Sequence, residues 1–88
     1  SDFHEVDQQI LRIQPHLVLL DINLPEMDGY MICRSLRQQS SIPILMVTSR
    51  SSDLDELMSM SLGADDFITK PYNVQILLAH IKQGLRNA

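Results

Sequence analysis

The chain has 88 residues, 44% of them hydrophobic and 20% charged, with a formal net charge of −4 and one cysteine. That length holds one small domain with a marginal core, burying about 60–65% of the surface its unfolded chain exposes. The acidic balance excludes a nucleic-acid-binding surface on the chain itself, the lone cysteine excludes a disulfide framework or a cysteine metal cluster, and no apolar run approaches a membrane span. With no signal-peptide pattern, a cytoplasmic location is expected.

Phe3, Val6, Ile10 and Ile13 recur at helical spacing, and Ser1 or Asp2 is placed to cap that helix. Pro15 ends it by disfavouring α conformation at Gln14, and His16 reads as a loop residue. The run from Leu17 to Leu20 predicts a strand, over 17–21, buried on both faces as in a parallel sheet. It delivers a carboxylate, Asp21, and breaks at once into a Pro/Gly loop over 22–28. In open α/β sheets ligands bind beyond the carboxyl ends of the strands, which makes Asp21 the first candidate for a reactive residue.

Gly29 relieves a tight backbone at the entry to a helix over Tyr30 to Gln39, with Ile32, Cys33 and Leu36 inward. Cys33 reads as a small buried hydrophobe. A second apolar strand runs from Ile42 to Val47 and ends at Thr48-Ser49. Ser51, Ser52 and Asp53 supply caps for a helix over about 53–62, with Leu54, Leu57 and Met58 on its stripe and Gly63 stopping it. A short strand, Phe67 to Thr69, ends at Lys70-Pro71. The last helix, about 73–86, carries the clearest stripe: Val74, Leu77, Leu78, Ile81 and Leu85. The order α-β-α-β-α-β-α predicts a parallel α/β sheet with right-handed crossovers.

Each strand puts a polar side chain at or just past its carboxyl end: Asp21, Thr48 and Lys70. In neighbouring parallel strands these ends lie about 5 Å apart, so the three groups converge. A carboxylate nucleophile beside a hydroxyl and an ammonium suits attack on a phosphoryl group, with Thr48 and Lys70 holding its oxygens. A divalent cation usually completes such a site.

The stretches Leu19 to Gly29 (LLDINLPEMDG), Ile42 to Thr48 and Gly63 to Pro71 (GADDFITKP) resemble a two-component response-regulator receiver domain, in the family's order and spacing. The resemblance covers essentially all of 1–88 and implies a doubly wound, three-layer flavodoxin-like sheet. It implies that Asp21 accepts phosphate from a histidine kinase, that Thr48 moves toward the phosphoryl group and that Lys70 pairs with it through a cis Lys70–Pro71 bond. Asn23 stands where the family offers a backbone carbonyl to Mg²⁺, with Asp21 a further ligand; Phe67 matches the switch aromatic, and Arg50 a variable position near the phosphate.

Ala64 to Phe67 resembles the winged-helix, OmpR-type class, in which receivers pair through the last two helices and last strand and DNA is met by a separate domain. Asp65 and Asp66 fall on that implied homodimer surface, while Met58, Ile76 and His80 stand where charged residues are usual; of these His80, which titrates near neutrality, can still serve the surface as a partial cation. Cys33-Arg34 and Thr48-Ser49-Arg50 look like the subgroup that senses peptide antibiotics and envelope stress.

Set against the family, the chain begins in the helix before the phosphoacceptor strand. The first strand, first helix and second strand are expected to be lacking, and with them the adjacent acidic pair that holds Mg²⁺; Asp2, Glu5 and Asp7 sit in a helical pattern and do not replace it. A piece of a longer regulator, an impaired Mg²⁺ site and an exposed apolar edge on the strand of Asp21 are the expectations. A phosphorylation-independent interaction domain is the alternative. A haloacid-dehalogenase-type phosphatase is disfavoured, because its second aspartate would stand at Asn23 and no later acidic pair follows Lys70.

Overall fold

The computed structural model describes residues 3–22, 28–49 and 53–86. Its elements are α1 (Phe3–Ile13), β1 (Val18–Asp21), α2 (Gly29–Gln39), β2 (Ile44–Thr48), α3 (Asp53–Ser61), β3 (Asp66–Thr69) and α4 (Val74–Arg86). The three strands form one parallel sheet in the order β1-β2-β3, with Asp21 beside Val47 and Thr48 beside Thr69. The α/β alternation is the one expected, and strand boundaries differ from expectation by one or two residues. Pro43, which has no N–H to give, lies just before β2, and pairing begins at Ile44.

Because side chains alternate along a strand, the sheet has two differently clad faces. One packs Val18, Leu20, Ile44 and Met46 against Ile32, Cys33 and Leu36 of α2, with Val6, Ile10 and Leu11 of α1 around them. Ile32, Leu36, Ile44 and Met46 are buried completely or nearly so, each contributing about 1.5–3 kcal/mol of transfer free energy. The other face holds Leu45, Val47 and Ile68 under Leu77 and Ile81 of α4.

Three stripes differ from expectation. On α4 only Leu77 and Ile81 pack inward, while Val74, Leu78 and Leu85 are exposed, because the helix covers β2 and β3 and leaves Leu19 of β1 bare. That bare leucine is the apolar edge expected for β1. On α3, Leu57 and Met58 face out, and among the described side chains of that helix Ser59 is the buried one; the Leu54 side chain lies outside the described set. On α1, Ile13 is 74% exposed and Asp7 only 1%. The helix stops where Gln14 turns left-handed (φ 56°), which carries Ile13 past the core.

Local chemistry sets the remaining boundaries. Asp28 caps α2, its side chain accepting from the N–H groups of Tyr30 and Met31 at 3.1 and 3.2 Å. A Cβ on Gly29 would lie 2.6 Å from Ile22 Cγ2, so glycine alone admits this approach. Gly63 adopts the left-handed φ of 105° expected after α3. Asn73 caps α4 through Gln75 N–H at 2.7 Å. The expected caps at Ser1, Asp2, Ser51 and Ser52 lie outside the described residues.

Candidate functional site

Parallel pairing continues past the last residues of β1 and β3. Ile22 N–H donates to the Val47 carbonyl at 3.0 Å, and Lys70 N–H to the Thr48 carbonyl at 2.7 Å. These two bonds fix Asp21 and Lys70 on either side of β2, whose terminal residue is Thr48. Outer strands flanking a central one stand about 10 Å apart, a gap that a lysine and an aspartate together bridge. Lys70 Nζ donates to Asp21 Oδ2. The Lys70–Pro71 peptide is cis.

Burial separates the roles of the three groups. Thr48 is fully buried at the end of the central strand. The Asp21 and Lys70 side chains are 29% and 36% exposed, so a reactant reaches both from solvent. An ion pair this wet contributes only about 0–1 kcal/mol to stability, and the fold does not depend on it. What the pair does is hold an ammonium against the oxygen of a candidate nucleophile.

The other expected site residues are dispersed. Phe67 is half-buried and packs on the core formed with α2. Asp66 Oδ2 meets His80 Nδ1 between β3 and α4, and its Oδ1 accepts from Phe67 N–H at 2.8 Å. Asp65 lies at the opposite, amino end of the strands. There its Oδ2 accepts from Arg37 Nη2 at 2.6 Å and from Ile44 N–H at 2.8 Å. Asn23 and Arg50 fall outside the described residues.

Mg²⁺ requires several oxygen ligands in octahedral geometry. Among the described residues no group of three or more His, Cys, Asp or Glu is placed to hold a metal. Among the described residues Asp21 is the acidic side chain in which a strand ends beside Thr48 and Lys70, and it is bonded to Lys70. The described residues therefore do not amount to a Mg²⁺ site.

Two polar links had not been anticipated. Tyr30 Oη donates to Asp55 Oδ1 at 3.1 Å, joining the first turns of α2 and α3. Arg37 Nε and Nη1 donate to the carbonyls of Gly63 and Ser40 at 2.8 and 3.1 Å. The Tyr30–Asp55 and Arg37–Gly63 bonds are long-range partnerships without a local spacing signal. The Asp28 cap was missed as well, though an aspartate directly before a helix is its local signal.

A family model described as response regulator receiver domain matches residues 1–82. The transcriptional regulatory protein YxdJ of Bacillus subtilis is 47% identical over 88 residues, which is 100% of this chain and 38% of that protein. The chain thus spans under two-fifths of the length of this curated relative. The BeF3-activated N-terminal receiver domain of Klebsiella pneumoniae RstA superposes with a TM-score of 0.86 at 42% identity, covering 94% of this chain and 71% of that one. The N-terminal domain of the nisin resistance regulator NsrR, described as a lantibiotic response regulator, gives 0.82 at 38% identity, covering 97% and 73%.

Proposed function

This chain belongs to the response regulator receiver domain family, and on that footing we propose that Asp21 is the phosphoacceptor of a bacterial two-component regulator. The observation that carries the proposal is Lys70 Nζ bonded to Asp21 Oδ2 at the carboxyl ends of parallel strands, with Thr48 between them. In the transfer, an Asp21 carboxylate oxygen attacks the phosphorus of a kinase phosphohistidine. The new O–P bond forms as the P–N bond breaks, and the imidazole nitrogen leaves with the electron pair. Lys70 exchanges its carboxylate partner for a phosphoryl oxygen, and the Thr48 hydroxyl donates to another. The chain is then a signalling module that is modified, not a turnover catalyst.

Mg²⁺ supplies charge neutralisation at such sites, and here its remaining ligands must come from beyond the described residues, the Asn23 carbonyl among them. Phe67, carried on β3 and packed against the core, is the outlet toward the partner surface. That surface comprises α3, β3 and α4, with Asp66 and His80 in contact on it and Asp65 at its lower margin. Homodimer formation there, cytoplasmic location and DNA binding through a separate domain complete the reading. No described helix is long and apolar enough to cross a membrane. The likeness to a lantibiotic response regulator supports an antibiotic-peptide or envelope stimulus.

The test is incubation with acetyl phosphate and Mg²⁺, followed by intact-mass measurement. One adduct of about 80 Da, the mass of a phosphoryl group, is expected, and it is lost in Asp21→Asn. An adduct that survives that substitution removes Asp21 from the role. No adduct on the whole protein favours the phosphorylation-independent interaction domain.

A further inference from the structure

Ile22, the residue that follows Asp21, packs tightly against the first turn of α2. Gly29 packs so closely on Ile22 that a Cβ would come within 3.0 Å of the Ile22 Cα, and Asp28 fixes the N–H groups of Tyr30 and Met31. Tyr30 therefore cannot shift far without moving the residue that follows Asp21. Its hydroxyl donates at 3.1 Å to Asp55 Oδ1, 25 residues on, in the first turn of α3. That helix is the element entered after Thr48, and over its described side chains Leu57, Met58 and Met60 face outward while Ser59 is buried.

We propose that Tyr30 is a positioning residue whose bond to Asp55 latches the start of α3 to the Asp21 side of the sheet. The bond belongs to the arrangement in which Lys70 still holds Asp21, so it stabilises α3 in the unphosphorylated state. Movement of Thr48 toward a phosphoryl group pulls on the segment entering α3 and works against the latch. Releasing it lowers the resistance to that movement. The second step rests on Asp21 being the phosphoacceptor; the latch itself does not.

Tyr30→Phe keeps the ring and deletes only the hydroxyl, and Asp55→Ala removes the acceptor carboxylate. In the whole protein that carries this chain, amide hydrogen exchange across α3 is expected to quicken about tenfold in either variant. The double variant should be no faster than either single one, because both remove the same bond. Exchange in β2 should stay unchanged, which a merely structural loss would not allow. With acetyl phosphate, Tyr30→Phe should acquire its adduct several-fold faster than the parent. Unchanged α3 exchange, additive single effects or slower labelling would overturn the latch. A parent that takes no adduct overturns the phosphoacceptor reading instead, and the exchange cycle then decides the latch alone.

Discussion

Replacing Arg37 with alanine removes three donors at once: those to the Gly63 carbonyl, the Ser40 carbonyl and the Asp65 carboxylate. Hydrogen bonds from a charged donor are worth about 1.5–3 kcal/mol each. The Asp65 arm is discounted to about 0–1 kcal/mol, because the two side chains are 25% and 51% exposed. Water reaches part of what is left, so the expected loss is about 2–4 kcal/mol. For a domain of this size even the lower figure displaces the melting temperature by about 8–16 °C. Arg37→Lys should fall between, since a lysine keeps the charge near Asp65 but cannot serve three acceptors in fork geometry. Urea and thermal denaturation followed by circular dichroism measure the difference. An Arg37→Ala protein within about 0.5 kcal/mol of its parent would refute the reasoning.

Two further outcomes are expected. Asp7 is 1% exposed and neither of its carboxylate oxygens has a hydrogen-bond partner. Asp7→Ala should therefore raise stability by about 1–3 kcal/mol in the same melts, and a loss would reveal a partner for Asp7. Burial raises the Cys33 pKa above its ordinary 9.0, Arg37 pulling the other way and Asp65 adding to the rise. The neutral thiol is the form the fold favours, so its contribution to stability is complete below the ordinary thiol pKa and is lost as pH climbs above it. Iodoacetamide at neutral pH should accordingly modify Cys33 only on unfolding, and rapid native-state alkylation would contradict its burial.

Much of the site was readable in advance because its parts are punctuation. Asp21, Thr48 and Lys70 each follow an apolar run, and register alone brings three strand ends together. The inner face of α2 was legible for a similar reason, since Ile32, Cys33 and Leu36 repeat at helical spacing and are covered on that face. The same rule failed on α4, where Leu78 and Leu85 lie on the stripe yet face solvent. Periodicity identifies a helix's apolar side but not the width of sheet beneath it, and three strands cover only part of that stripe. Asp7 is a case in the opposite sense: its place in the helical pattern of α1 carries no sign of burial, yet it is almost wholly enclosed. The Tyr30–Asp55 and Arg37–Gly63 bonds have no sequence period, because partners 25 and 26 residues apart meet only through tertiary structure.

The Arg37 cluster sits at the amino ends of the strands, where Asp65 also accepts from the first N–H of β2. Asp21 and Lys70 stand at the other end of the same sheet. The sheet is thus clasped by side chains at both ends, by Arg37 and Asp65 at one and by Lys70 with Asp21 at the other. The two clasps differ in what they can exchange: the first closes on carbonyls and a backbone N–H, the second joins two side chains that solvent reaches. A reactant that competes for Lys70 therefore loosens one end of the layer and leaves the other fastened.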